Sequence, residues 1–268
     1  ENAFIAGNRD ARVFRDEDHN LSLSFGYRPA WHIKRKALGT YFSSAYFQDG
    51  DMRRPTEFAF HQRLNEDVNA LIDRCHLRRA LMNLESMSHE LTSFVSVPVH
   101  FSTLRHTSHR YTMQYLLHTI PQWCRRILTW EVIDVPADMM RVQAEDVQSF
   151  LKPFGHSVMW RTNGTTSILK TLKGSSIHLV GLSINALQGD EKRLMQATES
   201  WLEEAERLGF HTYVRAAHSR SLVVSAVCAG VGRISGDAIA APIDNLHGMR
   251  PFSEEQLYAK LLSDVFNV

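Results

Sequence analysis

The first periodic run of the chain, Leu21-Ser22-Leu23-Ser24-Phe25-Gly26-Tyr27, alternates apolar with small or polar positions, the two-residue repeat of a strand with one buried face. A second run, from Ala37 to Phe47, is rich in aromatic and small residues and stops at Gln48-Asp49-Gly50-Asp51, a turn signal. The two are expected to pair. Residues 1–20 mix charges with few apolar positions and read as a linker or an incoming helix. From about residue 56 to 90 the apolar positions move to helical spacing, with Val68, Leu71, Ile72 and Cys75 followed by Leu77, Ala80, Leu81 and Leu84. Asp73 is placed as a cap between two helices in that stretch.

Beyond residue 90 the two periods take turns. Strands are expected at Phe94–Val99, Ile127–Ile133, Ser157–Trp160, Ile177–Leu182, Phe210–Val214 and around Arg233-Ile234. Helices fall between them, at Leu104–Ile120 (ended by Pro121), 138–151, 166–172, 190–208 and 218–230. The clearest of these runs from about Asp190 to Leu208, where Leu194, Ala197, Trp201, Ala205 and Leu208 form one stripe and Gly209 supplies the stop. Strand-helix units recurring every roughly 20–35 residues predict right-handed βα connections closing into a (β/α)8 barrel of the α/β class. With no internal repeat and no low-complexity segment, residues 21–268 read as one barrel domain.

Composition narrows the function. A chain of 268 residues with 44% apolar positions buries a substantial core, which argues against disorder. The 30 Lys and Arg against 29 Asp and Glu leave a net charge of +1, so neither duplex DNA nor an anionic membrane is an expected partner. No apolar stretch approaches the roughly 20 residues of a spanning helix, so no membrane insertion by this chain and a cytoplasmic location are expected. The sequence opens on Glu1 without Met, which suggests a piece of a longer protein. Cys75, Cys124 and Cys228 are odd in number, far apart and without Cys-x-x-Cys spacing, so they read as thiols, with neither a disulfide framework nor a zinc ribbon.

Across roughly residues 21–245 the order of short motifs resembles the EAL domain, the family of cyclic di-GMP phosphodiesterases and their inactive relatives. Tyr27-Arg28-Pro29 is similar to the opening Tyr-Gln-Pro, and Gly39-Thr40-Tyr41-Phe42 lies in the region of the signature Glu-Ala-Leu. Trp130-Glu131-Val132-Ile133-Asp134 resembles the Leu-Glu-Ile-Thr-Glu strand. Arg161-Thr162-Asn163-Gly164-Thr165-Thr166-Ser167 stands where the family has Asp-Asp-Phe-Gly-Thr-Gly, and Ile177 to Ser183 where it has Val-Asp-x-Leu-Lys-Ile-Asp. Gly209 to His218 is similar to the region ending in Ala-Glu-Gly-Val-Glu, and Ser235 to Pro242 to the closing Gln-Gly-Tyr-x-Phe-x-x-Pro. The resemblance implies a modified TIM barrel whose first strand is antiparallel to the others, with its functional face at the carboxyl ends of the strands.

The chemistry that the resemblance implies is largely missing. Two-metal phosphodiester hydrolysis needs several carboxylates on one face, because Mg²⁺ or Mn²⁺ takes hard oxygen ligands. Aligned to the family, the signature Glu falls at Thr40 to Phe42, the Asn ligand at Pro98, the paired aspartates at Arg161 and Thr162, the Lys at Gly181, the next Asp at Ser183, and the two late glutamates at Arg215 and His218. Glu131 remains, with Asp134 near it. One carboxylate does not hold two divalent ions, and guanidinium groups repel a cation. No catalytic residue, no metal and no cofactor are therefore expected. Arg28, Arg161 and Arg215 would attract an anion if they converge, with Glu131, Asp134, His218 and Asp237 around them. Alternatively, Arg161 or Arg215 pairs with Glu131 or Asp134 and fills the vacated place with an internal ion pair.

Other signals have plainer readings. His106 and His109 share a helical face, and His100 lies nearby, but no further ligand stands at motif spacing. Ser219 and Ser221 beside His218 lack a nucleophile elbow. The aromatics of Tyr41–Phe47 (Tyr41, Phe42, Tyr46 and Phe47) fit a barrel core better than a base-stacking platform. Asn163, Gly164 and Thr165 either keep a contact for a homodimer or form a turn before a capped helix. The expected function is an inactive EAL-like module in bacterial cyclic di-GMP-related regulation, acting through a protein partner or flanking signalling domain. A non-hydrolysing receptor for cyclic di-GMP or another anionic ligand is the alternative.

Overall fold

The computed structural model describes residues 13–16, 21–49, 52–55, 65–86 and 92–259, with side chains within 24–46, 65–86 and 92–259. Strand β1 (Val13–Asp16) lies in the stretch read as linker or helix and pairs antiparallel with β2 (Leu21–His32); the rest of residues 1–20 falls outside the described residues. The alternating run of β2 turns through a 3-10 segment, Ile33–Arg35, and Lys36 at φ 48° reverses the chain into β3 (Ala37–Asp49). As expected, β2 and β3 pair, with Tyr27 opposite Ser43 and a register shift at Ala30/Trp31. Strand β4 (Met52–Pro55) folds back on β3.

The helical stretch that follows is one helix within its described part, α1 (Glu66–Glu85), where two were expected. No Gly or Pro interrupts it, and Asn65 supplies its N-cap by accepting from the Asp67 N–H at 3.1 Å. Asp73 is therefore not a cap but a buried mid-helix acid. The expected extensions at 56–64 and 87–90 lie outside the described residues.

Strand β5 (Phe94–His100) leads into a second departure, because the helix expected at 104–120 is two: α2 (Phe101–Arg105) and α3 (Thr107–His118). His106 between them is extended (φ −79°, ψ 122°); its N–H closes α2 on the Ser102 carbonyl and its own carbonyl accepts from Arg110 to open α3. A short helix that was not expected, α4 (Gln122–Arg125), follows Pro121; the alternation then runs in the expected order, through β6 (Leu128–Ile133), α5 (Arg141–Leu151), β7 (Ser157–Thr162), α6 (Thr166–Leu172) and β8 (Leu179–Ser183), with α5 and β8 starting later than the expected 138 and Ile177. It finishes with α7 (Glu191–Arg207), β9 (His211–Arg215), α8 (Arg220–Cys228), β10 (Arg233–Ser235) and a short β11 (Arg250–Pro251) against β3.

Eight strands close a barrel in the order β2-β10-β9-β8-β7-β6-β5-β3 and back to β2. All neighbours are parallel except β2, which is antiparallel to both β3 and β10. The end of β2 at His32 therefore shares a rim with the starts of the parallel strands.

Alternation along each strand sorts the core into two shells. Val95, Val97 and Val99 of β5, Trp130 and Val132 of β6, Trp160, Val180, Leu182, Val214 and Ile234 face outward into the main cluster under the helices. That cluster also takes Leu194, Trp201 and Ala205 of the expected α7 stripe, with Leu208 half-buried beside it; Ala197 is exposed, and Thr198 and Leu202 hold the buried face in its place, while the N-cap Asp190 accepts from the Arg193 N–H at 2.9 Å. Inside the barrel Ala30, Phe42, Met159 and Tyr213 pack together. Tyr41, Phe42 and Tyr46 are buried, as core aromatics on such a strand are. A third cluster, Phe25, Ala45, Val68, Ile72 and Cys75, seats the outer part of the β2–β3 hairpin on α1. The three cysteines are free, Cys75 and Cys124 buried and Cys228 exposed. Among the described residues no helix is long and apolar enough to cross a membrane.

Candidate functional site

The inward positions at the carboxyl ends of the strands carry the charged residues that the sequence singled out. Glu131, between the outward Trp130 and Val132 of β6, is fully buried, opposite Pro98 of β5 and Met159 of β7. Such a carboxylate needs donors, since an unpaired charge in a dry core costs several kcal/mol. Two groups supply them, and a third adds positive charge. Arg215, ending β9, donates from Nη1 to Glu131 Oε2 at 2.6 Å and from Nη2 to Ser44 Oγ at 3.2 Å. Its guanidinium also lies 4.6 Å from the centre of the Phe42 ring. The Tyr213 hydroxyl, two residues earlier on the same inward face, donates to Glu131 Oε1 at 3.0 Å. Arg161 Nε, on β7, stands 3.9 Å from that oxygen. Burial first and the Glu131 charge second hold the Tyr213 phenol well above its ordinary pKa, so it remains a protonated donor.

Tyr213 was not among the residues the sequence pointed to. Its place depends on Gly181, where a Cβ would come within 2.0 Å of Tyr213 Cζ. The position at which the resemblance has a lysine is thus filled by the ring of a tyrosine from the next strand, stacked on Phe42 at 5.5 Å between centroids. Of Thr40 to Phe42, Phe42 is the residue that meets Tyr213 and Arg215; the Tyr41 hydroxyl donates instead to the Gly248 carbonyl at 3.2 Å. The signal was the two-residue period itself, which puts Tyr213 and Arg215 on one face of β9.

The remaining residues fall around this centre. Arg28 of β2 donates to Asp237 at 2.5 Å, a second ion pair, with Asp237 largely exposed. Asp134 follows β6 at φ 52° with its side chain 71% exposed, 3.5 Å from His100 Nε2. His218 is exposed, with Nδ1 3.3 Å from the Ala216 carbonyl, and next to it Ser219 caps α8. Asn163 accepts from the Thr165 N–H and hydroxyl at 3.3 and 2.8 Å, and Gly164 takes φ +89° in the turn before α6. Thus Glu131, Arg161 and Arg215 are brought together, Arg28 joins Asp237, and His218 turns to solvent.

A second buried acid–base pair lies beside them. Asp73 of α1 accepts from the His100 backbone N–H at 2.9 Å, and its other oxygen lies 2.7 Å from His100 Nδ1. Burial works to lower the His100 pKa, but the charge and hydrogen bond of Asp73, with Asp134 behind them, outweigh it and the opposing Arg161, and the net shift is upward. An acid between Ile72 and Cys75 on the buried side of a helix was the available clue, since it demands a partner from elsewhere.

A divalent cation does not suit these residues. Both Glu131 oxygens already accept from Arg215 and Tyr213, both Asp73 oxygens face His100, and two guanidinium groups border the only fully buried carboxylate of β6. Among the described residues no three His, Cys, Asp or Glu side chains are grouped to hold a metal. His106 and His109 face each other at 4.6 Å between ring centres, and His109 Nε2 is 3.1 Å from Asp67.

Solved structures of EAL domains share the fold. The EAL-domain protein YkuI of Bacillus subtilis, solved with cyclic di-GMP and calcium, superposes with a TM-score of 0.68 at 12% identity over 91% of this chain. The match spans only 62% of YkuI. An EAL domain protein from Listeria monocytogenes gives 0.63 at 11% identity over 92% of this chain and 93% of its own. The FimX EAL domain of Pseudomonas aeruginosa, bound to cyclic di-GMP, gives 0.61 at 13% identity over 82% of this chain and 90% of its own. The sequence matches no family model and no curated protein. The likeness is one of fold.

Proposed function

We propose that this EAL-type barrel is a catalytically inactive module in bacterial cyclic di-GMP-related regulation, acting through a protein partner or flanking signalling domain. The observation that carries the reading is the internal neutralisation of Glu131. A carboxylate free to bind a metal ion keeps its lone pairs open toward the mouth, whereas here Arg215 and Tyr213 occupy both oxygens and Arg161 adds a further positive charge. The Arg28–Asp237 pair makes the rim similarly self-satisfied. A barrel whose mouth is closed on itself leaves outer helices and loops as the surface on which signalling would act.

The test is incubation of the purified chain with cyclic di-GMP in Mg²⁺ or Mn²⁺, with chromatography for the linear product and calorimetric titration alongside. Neither product nor heat of binding is expected. Metal-dependent hydrolysis would overturn the proposal. Binding without cleavage would replace it with the receptor reading and direct mutagenesis to Arg28, Arg161 and Arg215.

A further inference from the structure

One cavity lies at the other end of the barrel. About 150 Å³ in volume and partly open to solvent, it lies among the starts of the parallel strands, with Phe94, Met159 and Leu179 as its apolar walls and Thr40, Thr129, Ser157, His156 and Arg233 of β10 as its polar ones. A small second pocket, to which His32 and Arg35 contribute, shares Thr40, Phe94 and Arg233 with the first. The geometry follows from the reversed strand, because His32 ends β2 on the rim where Arg233 begins β10, and the two are register partners.

Arg233 is the unusual member. Its Nε is buried without a hydrogen-bond partner, and among the described residues no carboxylate pairs with it. Burial first and then Arg35 lower the Arg233 pKa, outweighing Tyr213, which acts the other way; burial, Arg233, Arg35 and Lys34 likewise lower that of His32 against a backbone hydrogen bond that raises it. A part-buried guanidinium beside hydroxyl and imidazole groups, backed by a second arginine and matched by no acid among the described residues, is costly alone and favourable with an anion. The volume is several times the roughly 30 Å³ a water molecule claims, enough for a tetrahedral oxyanion and too small for a whole nucleotide.

We propose that the amino-terminal end of the barrel is a binding site for a small oxyanion of the phosphate class, either free or as the terminal group of a larger molecule, held by Arg233 with Arg35 and His32 at its entrance. The site is independent of the carboxyl-end reading above. Inorganic phosphate is titrated into the full chain by calorimetry and by thermal unfolding against sodium chloride of equal ionic strength, and glycerol 2-phosphate serves as a phosphomonoester arm. Phosphate is expected to bind and to raise the melting temperature over chloride, with affinity reduced about tenfold or more in Arg233→Gln. Arg35→Gln, a change at an exposed residue, gives a weaker loss and serves if Arg233→Gln does not fold. Arg207→Gln, which removes an exposed arginine of α7, leaves binding intact. Binding of phosphate alone assigns a free anion, and binding of both compounds assigns a terminal phosphoryl group. No difference between phosphate and chloride, or equal binding by the Arg233 and Arg35 variants, overturns the proposal.

Discussion

Replacing Arg215 with Met keeps a long apolar chain near Phe42 while deleting the charge opposite Glu131. The loss follows from the contacts: Glu131 is without solvent access, its closest cation is Arg215 at 2.6 Å, and the next is Arg161 at 3.9 Å. Two unit charges whose centres are about 4 Å apart attract by about 4 kcal/mol at an effective dielectric constant of about 20. Removing one member of a buried pair costs about 3–5 kcal/mol, because the survivor keeps its desolvation penalty. At about 2–4 °C per kcal/mol for a chain of this size, the melting temperature should fall by roughly 6–20 °C. Adding Glu131→Gln removes the orphaned charge and keeps an acceptor for Tyr213, so the double variant should recover most of the loss. Urea unfolding, followed by circular dichroism and tryptophan fluorescence, measures the cycle. A loss below about 1 kcal/mol in Arg215→Met, or a double variant no more stable than the single one, would refute the claim that this pair neutralises the barrel centre.

Three further outcomes are expected. Gly181→Ala drives a methyl into the Tyr213 ring and should cost at least the roughly 1–3 kcal/mol typical of overpacking; combined with Tyr213→Ala the clash disappears, so the two denaturation losses should be sub-additive. His100, with its folded pKa raised, contributes stability that is fully present below its unfolded value of about 6.5 and is lost as pH rises through the folded value; Asp73→Asn should flatten that decline in urea midpoints measured from pH 6 to 9. Asp190→Ala removes the cap of α7 and should lower stability by about 1 kcal/mol, read from the same unfolding curves, with no change in the pH dependence.

The elements that sequence reading located best are those whose signal is local. The helix α7, with all of its expected stripe but Ala197 at least half-buried, and the turn at Gly164 leading into α6 depend on residues within a few positions of one another. The barrel and its reversed first strand were legible through the order of motifs, even with most of their charged residues changed. What escaped depends on contacts between distant segments. Asp73 looked like a cap because an Asp in a helical pattern normally competes for backbone donors; its actual partner is 27 residues away on β5. The break at His106 carries no Gly or Pro. Tyr213 was hidden for a similar reason, since its role exists only where Gly181 on the neighbouring strand leaves room for its ring and Glu131 of β6 meets its hydroxyl. The pairing of Arg215 with Glu131 had been one of several alternatives, and choosing among them required knowing which inward positions share a level.

The interlock of Gly181 and Tyr213 also sets an order of operations for anyone rebuilding this mouth. A side chain cannot enter at 181 while the ring is present, and the ring cannot leave without stripping Glu131 of a donor. Each single step is therefore downhill in stability, and a lysine at 181 is reached only by changing both strands in the same molecule. The barrel centre behaves as a ratchet: the path away from its present arrangement passes through variants that fold less well than either end.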